Sequence, residues 1–181
     1  MNLLRRWGLL AALCLPGMAL ATPGEPQSLE ALVQASDRVV LARVKGSHVR
    51  VPQGNVRQMT TVSQLDVLEE YRGQGPQALE VVQLGGRSGL WESRLVGDAT
   101  LTEGETALFF LRCPDPQGVT RCALVGLGAG KSPVTAGENG QRQVQISAQM
   151  KGGPASRPLS EVIEEIRRAA SPPASQKRGK R

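Results

Sequence analysis

The chain has 181 residues, 40% of them hydrophobic and 21% charged, with a formal net charge of +6. That is the size and mix of one soluble domain with its own core, too short for two full domains and too mixed for a disordered chain. Aromatic residues make up only 3%, which leaves little material for a platform that stacks bases or sugars.

Residues 1–21 read as a secretory signal peptide. Arg5 and Arg6 form its positive start, and Leu9 to Leu15 its apolar run. Pro16-Gly17 breaks that run, and Ala19-Leu20-Ala21 is the small-x-small cleavage site. Cleavage after Ala21 makes Thr22 the first residue. A retained anchor helix would need about 20 apolar residues. A lipoprotein site at Cys14 conflicts with the large Leu13 before it and with the apolar run continuing past it. The expectation is simple export, to the periplasm or the extracellular medium, with no membrane span after processing.

Processing changes the charge. Two of the 22 basic residues are Arg5 and Arg6. Four more, Lys177, Arg178, Lys180 and Arg181, lie in the last five positions. Residues 22–176 therefore hold 16 basic and 16 acidic residues. A domain so balanced does not support a nucleic-acid face. Residues 171–181 are expected to be a disordered basic tail. Its alternative role is weak contact with an anionic surface, lipid head groups or cell-wall polymer, worth about 1 kcal/mol per charge near a membrane.

Cys113 and Cys122 are the cysteines left after processing, and an even pair in an exported chain reads as a disulfide. Between them, Pro114-Asp115-Pro116-Gln117-Gly118 is a turn flanked by apolar runs. The pair thus belongs at the neck of a β-hairpin. A redox or metal site would require a different spacing and further soft ligands.

After a leader at 22–27, Ser28 is placed to cap a short helix with Leu29, Leu32 and Val33 on one face, ended by Ser36-Asp37. Arg38 to Val44, dense in branched residues, predicts a strand buried on both faces at its start. Pro52 and Gly54 mark a turn. A long second strand is expected from about Val56 to Tyr71, although Asp66 to Tyr71 could be helical on propensity alone. A third follows at Leu79 to Leu84. Residues 85–104, punctuated by glycines, are the longest irregular stretch, and such a connection is either functional or carries local structure of its own. Thr106 to Arg112 is a buried strand, with Phe109 and Phe110 on opposite faces: one should fill the core and the other lie under a helix. Val119 to Leu127 returns as its hairpin partner. Gln141 to Ala148 suggests a last, weaker strand. Pro158 opens a second helix. There Leu159, Val162, Ile163 and Ile166 share one face, with glutamates early and arginines late as the helix dipole favours. About 13 residues is marginal alone, so this helix should dock on the sheet. Five or six strands in meander order, with the short N-terminal helix and the amphipathic C-terminal helix packed on them, predict a mainly β domain over 28–170, an OB-like β-barrel.

Four stretches strengthen that expectation. They are Ser28 to Val44, Val67-Leu68-Glu69-Glu70-Tyr71-Arg72-Gly73, the run from Leu101 to Leu111 with its turn-Gly-Glu before a buried strand, and Val125 to Lys131. Through them the chain resembles a group of small exported bacterial proteins of myxobacterial type. Their expected fold is similar to the OB-type barrel of netrin-like and metalloproteinase-inhibitor (TIMP-like) domains. Inhibitors of that kind chelate the target's zinc with an N-terminal cysteine. Here Thr22-Pro23 stands at the expected start, so the resemblance implies the barrel and not that mode of inhibition.

Few residues invite chemistry. His48 is the only imidazole, so neither a common zinc site nor a Ser-His-Asp triad is expected, and its place near Gly46 and Pro52 suggests an exposed loop. Gly126-x-Gly128-x-Gly130-Lys131 has a faint likeness to a phosphate loop without its full spacing, and reads better as glycines that let a strand turn or cross another backbone. Glu103 and Glu105 flank Gly104 and suit a solvated turn better than acid–base work or calcium. No catalytic residue, metal site or cofactor is expected. Arg87, Trp91 and Arg94 stand out: a tryptophan between arginines in a Gly-rich loop has the composition of a binding hot spot. The other account of Trp91 is a plug at one end of the barrel. The expectation is a non-enzymatic protein-interaction module, its partner another exported or envelope protein. The alternatives are an inhibitor or regulator of a secreted protease and an oligosaccharide or oligonucleotide binder of OB type.

Overall fold

A computed structural model describes residues 27–114, 121–137, 140–147, 151–152 and 154–171. The expected signal peptide, residues 22–26 of the leader, the inter-cysteine turn beyond Pro114 and the tail from 172 onward lie outside the described residues.

The fold is mainly β, with a helix near each end. Helix α1 (Leu29–Ala35) starts where Ser28 accepts a hydrogen bond from the Ala31 amide at 3.1 Å and ends at Ser36, whose hydroxyl donates to the Leu32 carbonyl. Nine strands follow: β1 (Arg38–Arg50), β2 (Thr60–Arg72), β3 (Ala78–Ser88), β4 (Trp91–Arg94), β5 (Thr106–Arg112), β6 (Arg121–Leu124), β7 (Lys131–Ala136), β8 (Arg142–Ile146) and β9 (Ala155–Pro158). Helix α2 (Leu159–Ala170) closes the domain.

Three expectations need correction. The strands number nine among the described residues, not five or six. The second strand begins at Thr60 and not at Val56, because Val56–Gln58 forms a 3-10 turn, whereas 66–71 is strand as read, paired with β1 along the whole of β2. The order is not a meander. Strands β1, β2 and β3 do pair in sequence, antiparallel, but β3 then pairs in parallel with β6 through Glu80↔Arg121 and Val81↔Cys122. Strand β6 pairs with β5, and β5 pairs back to β1 from Arg38↔Leu111 to Arg43↔Thr106. The other half of the free edge of β5 takes β7, which carries the ribbon β7-β8-β9. Short polar strands such as β9 give no alternation to read, and a parallel contact of two residue pairs leaves no local trace.

The pleat sorts the core into two clusters. Val39, Leu41, Leu108 and Phe110 face the helices, where they meet Leu32, Val33, Val162 and Ile166. Val40, Ala42, Ala107 and Phe109 face the other way, toward Leu65, Leu79, Val81 and the cysteines. Phe109 and Phe110 thus lie on opposite faces, as their alternation requires.

Cys113 and Cys122 form a disulfide beside the β5–β6 pairing, where Arg112 stands opposite Ala123. The cross-link closes a short loop, and chain entropy assigns it about 2.7 kcal/mol. Replacing both cysteines with serine should lower the unfolding free energy by about that amount in urea titration. An unchanged midpoint would mean the pairing alone holds this neck.

The chain's one tyrosine, Tyr71, links β2 to α2. Its hydroxyl donates to Glu69 at 2.9 Å, and the Arg167 guanidinium lies 5.9 Å from its ring centroid. Burial, then the Glu69 carboxylate, raises the phenol above its ordinary range. Burial pushes Glu69 up as well, but hydrogen bonds from Tyr71 and Arg142 and the charges of Arg142 and Arg167 outweigh it, so Glu69 sits below the usual carboxylate range. A raised phenol stabilises the fold fully below its unfolded value of about 10 and progressively less as pH rises toward the folded value. Alkaline titration of tyrosine absorbance should therefore show ionisation later in the folded chain than in denaturant. Coincident curves would mean that Tyr71 is not sequestered.

Candidate functional site

Arg87, Trp91 and Arg94 do not lie in an irregular loop. Strand β3 runs on to Ser88, a two-residue turn at Gly89-Leu90 reverses the chain, and β4 pairs back through Ser88↔Trp91, Arg87↔Glu92, Gly86↔Ser93 and Gly85↔Arg94. Gly89, at φ 60°, supplies the positive φ that such a turn requires at its first position. Gly85 and Gly86 let the ribbon leave the main sheet. A Cβ on Gly85 would stand 2.3 Å from the Ser93 carbonyl oxygen, and one on Gly86 2.8 Å from Val49. Only glycine permits so close a crossing.

The hairpin separates the three residues that the sequence groups. Arg87 and Glu92 are cross-strand neighbours, and Arg94 follows on their face. Trp91 stands beside Ser88 on the opposite face. The arginine face borders a hollow of about 250 Å³ floored by Ser47, Thr61, Ser63 and Gln83. The floor is polar and already bonded: the Ser47 and Ser63 hydroxyls are 2.7 Å apart, and Gln83 donates to the Ala99 carbonyl at 2.7 Å. Trp91 is 63% exposed, Leu90 at the tip is fully exposed and Val96 is 93% exposed. The plug account of Trp91 is thereby overturned, since its side chain fills no part of either core cluster.

Residues 95–104 form a strap across this end of the sheet. Arg94 donates to the Thr100 hydroxyl, Lys131 donates to the Thr100 carbonyl and ion-pairs with Glu105, and the Gly128 amide donates to the Gly97 carbonyl at 2.8 Å. Those bonds define the other candidates. Glu105 is engaged by Lys131 and by the Thr102 amide, while Glu103 is exposed. The Gly128 and Ala129 amides donate to backbone carbonyls, so the Gly126–Lys131 segment presents no cradle of free amides there. A Cβ on Gly130 would lie 2.5 Å from the Val125 carbonyl oxygen, the backbone crossing that the glycines suggested. His48 is exposed, as expected, but on β1 and not in a loop, and it accepts from Arg50 at 3.2 Å. Among the described residues no group of three or more His, Cys, Asp or Glu side chains could hold a metal, and no helix is long and apolar enough to cross a membrane.

The exposed apolar residues around the hairpin, Leu90, Leu95 and Val96, were not singled out from the sequence. The signal available was Gly89-Leu90, a Gly-x pair between two extended stretches that suits a two-residue hairpin. Compared with models of protein families and with curated proteins, the chain gives no match.

An exposed Trp91 predicts that Trp91→Ala shifts the unfolding free energy by no more than about 0.5 kcal/mol. A buried plug would lose about 3–5 kcal/mol. Urea unfolding followed by circular dichroism separates the two.

Proposed function

We propose that this chain is an exported, non-enzymatic protein-interaction module that engages another exported or envelope protein through the β3–β4 hairpin. One observation carries the proposal: Leu90 and Trp91 are held in solvent at the tip of the β3–β4 ribbon, and Val96 is exposed just beyond its base. Large apolar side chains gathered at one exposed place mark interaction surfaces, and tryptophan is enriched among interface hot spots. Cys113 and Cys122 are joined and so offer no thiol nucleophile, and His48 faces an arginine and not a carboxylate.

The domain is proposed to be an OB-like barrel of the netrin and TIMP-like kind, in keeping with the resemblance to small exported bacterial proteins. Support comes from the circuit of pairings β1-β2-β3-β6-β5 and back to β1, with its one parallel contact between β3 and β6. A five-stranded, partly open Greek-key barrel has this connectivity. Binding of oligonucleotides is disfavoured by the balance of charge over 22–176.

Two measurements test the proposal. Mass spectrometry of the exported chain should find Thr22 at its N-terminus; retention of residues 1–21 would overturn processing. The chain, with its disulfide formed, should capture one stoichiometric partner from the producing cell's envelope or secreted fractions. Trp91→Ala and Leu90→Ser should lose that partner, while Leu68→Ser, on an exposed site of β2, should keep it. Equal capture by all forms would overturn the hairpin as the working surface, and capture of nothing by a chain that also stays monomeric would do the same. A captured protease would make inhibition the activity.

A further inference from the structure

The outer edge of β4 is an unpaired strand edge with a side-chain pattern that complements itself. We infer that the partner of the hairpin is a second copy of this chain, joined antiparallel along β4 with Ser93 at the two-fold axis. The inference rests on the hairpin being the interaction surface and names what it binds.

The edge comes first. Among the described residues β4 pairs only with β3, and all four of its residues are exposed. A two-residue turn makes Ser88 and Trp91 the pair that exchanges both backbone bonds, and the pattern alternates from there. Glu92 and Arg94 therefore direct their N–H and C=O groups away from β3. Gly85 agrees: its amide donates to the Met59 carbonyl at 2.9 Å, and its carbonyl accepts from the Thr61 hydroxyl at 3.0 Å, so neither bonds Arg94 across the ladder.

The side chains set the register. From Leu90 to Val96 the order is Leu-Trp-Glu-Ser-Arg-Leu-Val. Read backwards it gives the same chemistry with the charges exchanged. Directly opposed residues of an antiparallel pair share a face, so a two-fold axis through the pairing passes at a residue. Centred on Glu92 it would oppose two carboxylates, and on Arg94 two guanidinium groups. Centred on Ser93 it sets Glu92 opposite Arg94 of the second copy, twice by symmetry, and these are the residues with outward backbone groups. Trp91 then faces Leu95 of the second copy, the residue next after the strand, while Leu90 and Val96 lie in the turns at either end of β4, outside the ladder. Opposite charges and aromatic–aliphatic neighbours stabilise cross-strand pairs, and like charges oppose them. Four residues of edge make a contact well below the roughly 1,600 Å² of a standard interface, so the dimer should exchange with monomer as concentration changes.

Charge reversal tests the register. Sedimentation velocity on the disulfide-bonded chain over a concentration series should show monomer passing to dimer. Glu92→Arg opposes two arginine pairs and Arg94→Glu two glutamate pairs, so each alone should weaken the dimer roughly tenfold or more. An equimolar mixture of the two variants should restore it as a heterodimer. Glu92→Arg leaves the Arg94–Thr100 bond untouched, and circular dichroism verifies that both variants fold. A wild-type chain that stays monomeric at every concentration overturns the inference, as does a dimer that both variants form equally well. If that monomer still captures a foreign partner through Trp91, self-pairing fails and the hairpin surface stands. If the chain dimerises in this register and captures nothing else, the second copy is the partner.

Discussion

Over its first half, strand β1 is bonded on both edges and buried on both faces, and the rest of the molecule is arranged to make that possible. From Val39 to Ala42 its side chains have no exposed surface. Its residues pair with β2 on one side and with β5 on the other. Buried backbone amides and carbonyls must find partners, and a strand between two neighbours satisfies every one of them. Register shifts at Val39/Val40, Leu41/Ala42 and Val44/Gly46 add twist to the β1–β2 pair. That twist lets one strand serve β2 along its full length and β5 over its first half.

The polar residues buried near this strand follow from the same constraint. Arg38, at its start, is only 2% exposed and would be costly there without a partner. Its Nε donates to Glu70 at 2.7 Å, and a second guanidinium nitrogen reaches the Pro76 carbonyl at 3.3 Å. The ion pair thus ties β1 to the end of β2 and to the turn beyond it. At the opposite end the interior turns polar, with Ser47, Ser63 and Gln83 bonded among themselves or to the strap. Lys131 and Glu105 pin that strap from the side of β7. An apolar interior that ends in satisfied polar groups gives the hairpin a fixed base, so the ribbon can project without being part of either core cluster.

Elements that bury a continuous apolar pattern were legible in the sequence. Strand β5 was read with the bounds it has, because six of its seven residues are apolar or β-branched before Arg112. Helix α2 declared itself by Leu159, Val162, Ile163 and Ile166, all buried. The disulfide followed from an even cysteine pair flanking a turn in a chain expected to be exported. What escaped was of two kinds. Strand β4 and the exposed residues around it face solvent, and a solvent-facing strand has no core to impose alternation. The β3–β6 contact joins residues about 40 positions apart in parallel, and neither sequence carries a mark of the other. The grouping of Trp91 with Arg87 and Arg94 was true of the chain and not of the surface, because a hairpin pleat puts neighbours in sequence on opposite faces.

A free strand edge is a liability that proteins ordinarily blunt with charge, proline, bulges or cover. Strand β9 ends in Pro158 and runs into α2, which blunts that edge of the β7-β8-β9 ribbon. Strand β4 carries Glu92 and Arg94 and keeps Leu90, Trp91, Leu95 and Val96 beside them in solvent. Two charges of opposite sign do not repel a copy of themselves in the antiparallel register; they select it. The same pair penalises other registers of self-pairing, where like charges would meet. The edge is therefore guarded by its own charges against registers centred on Glu92 or Arg94, which an uncharged edge would admit.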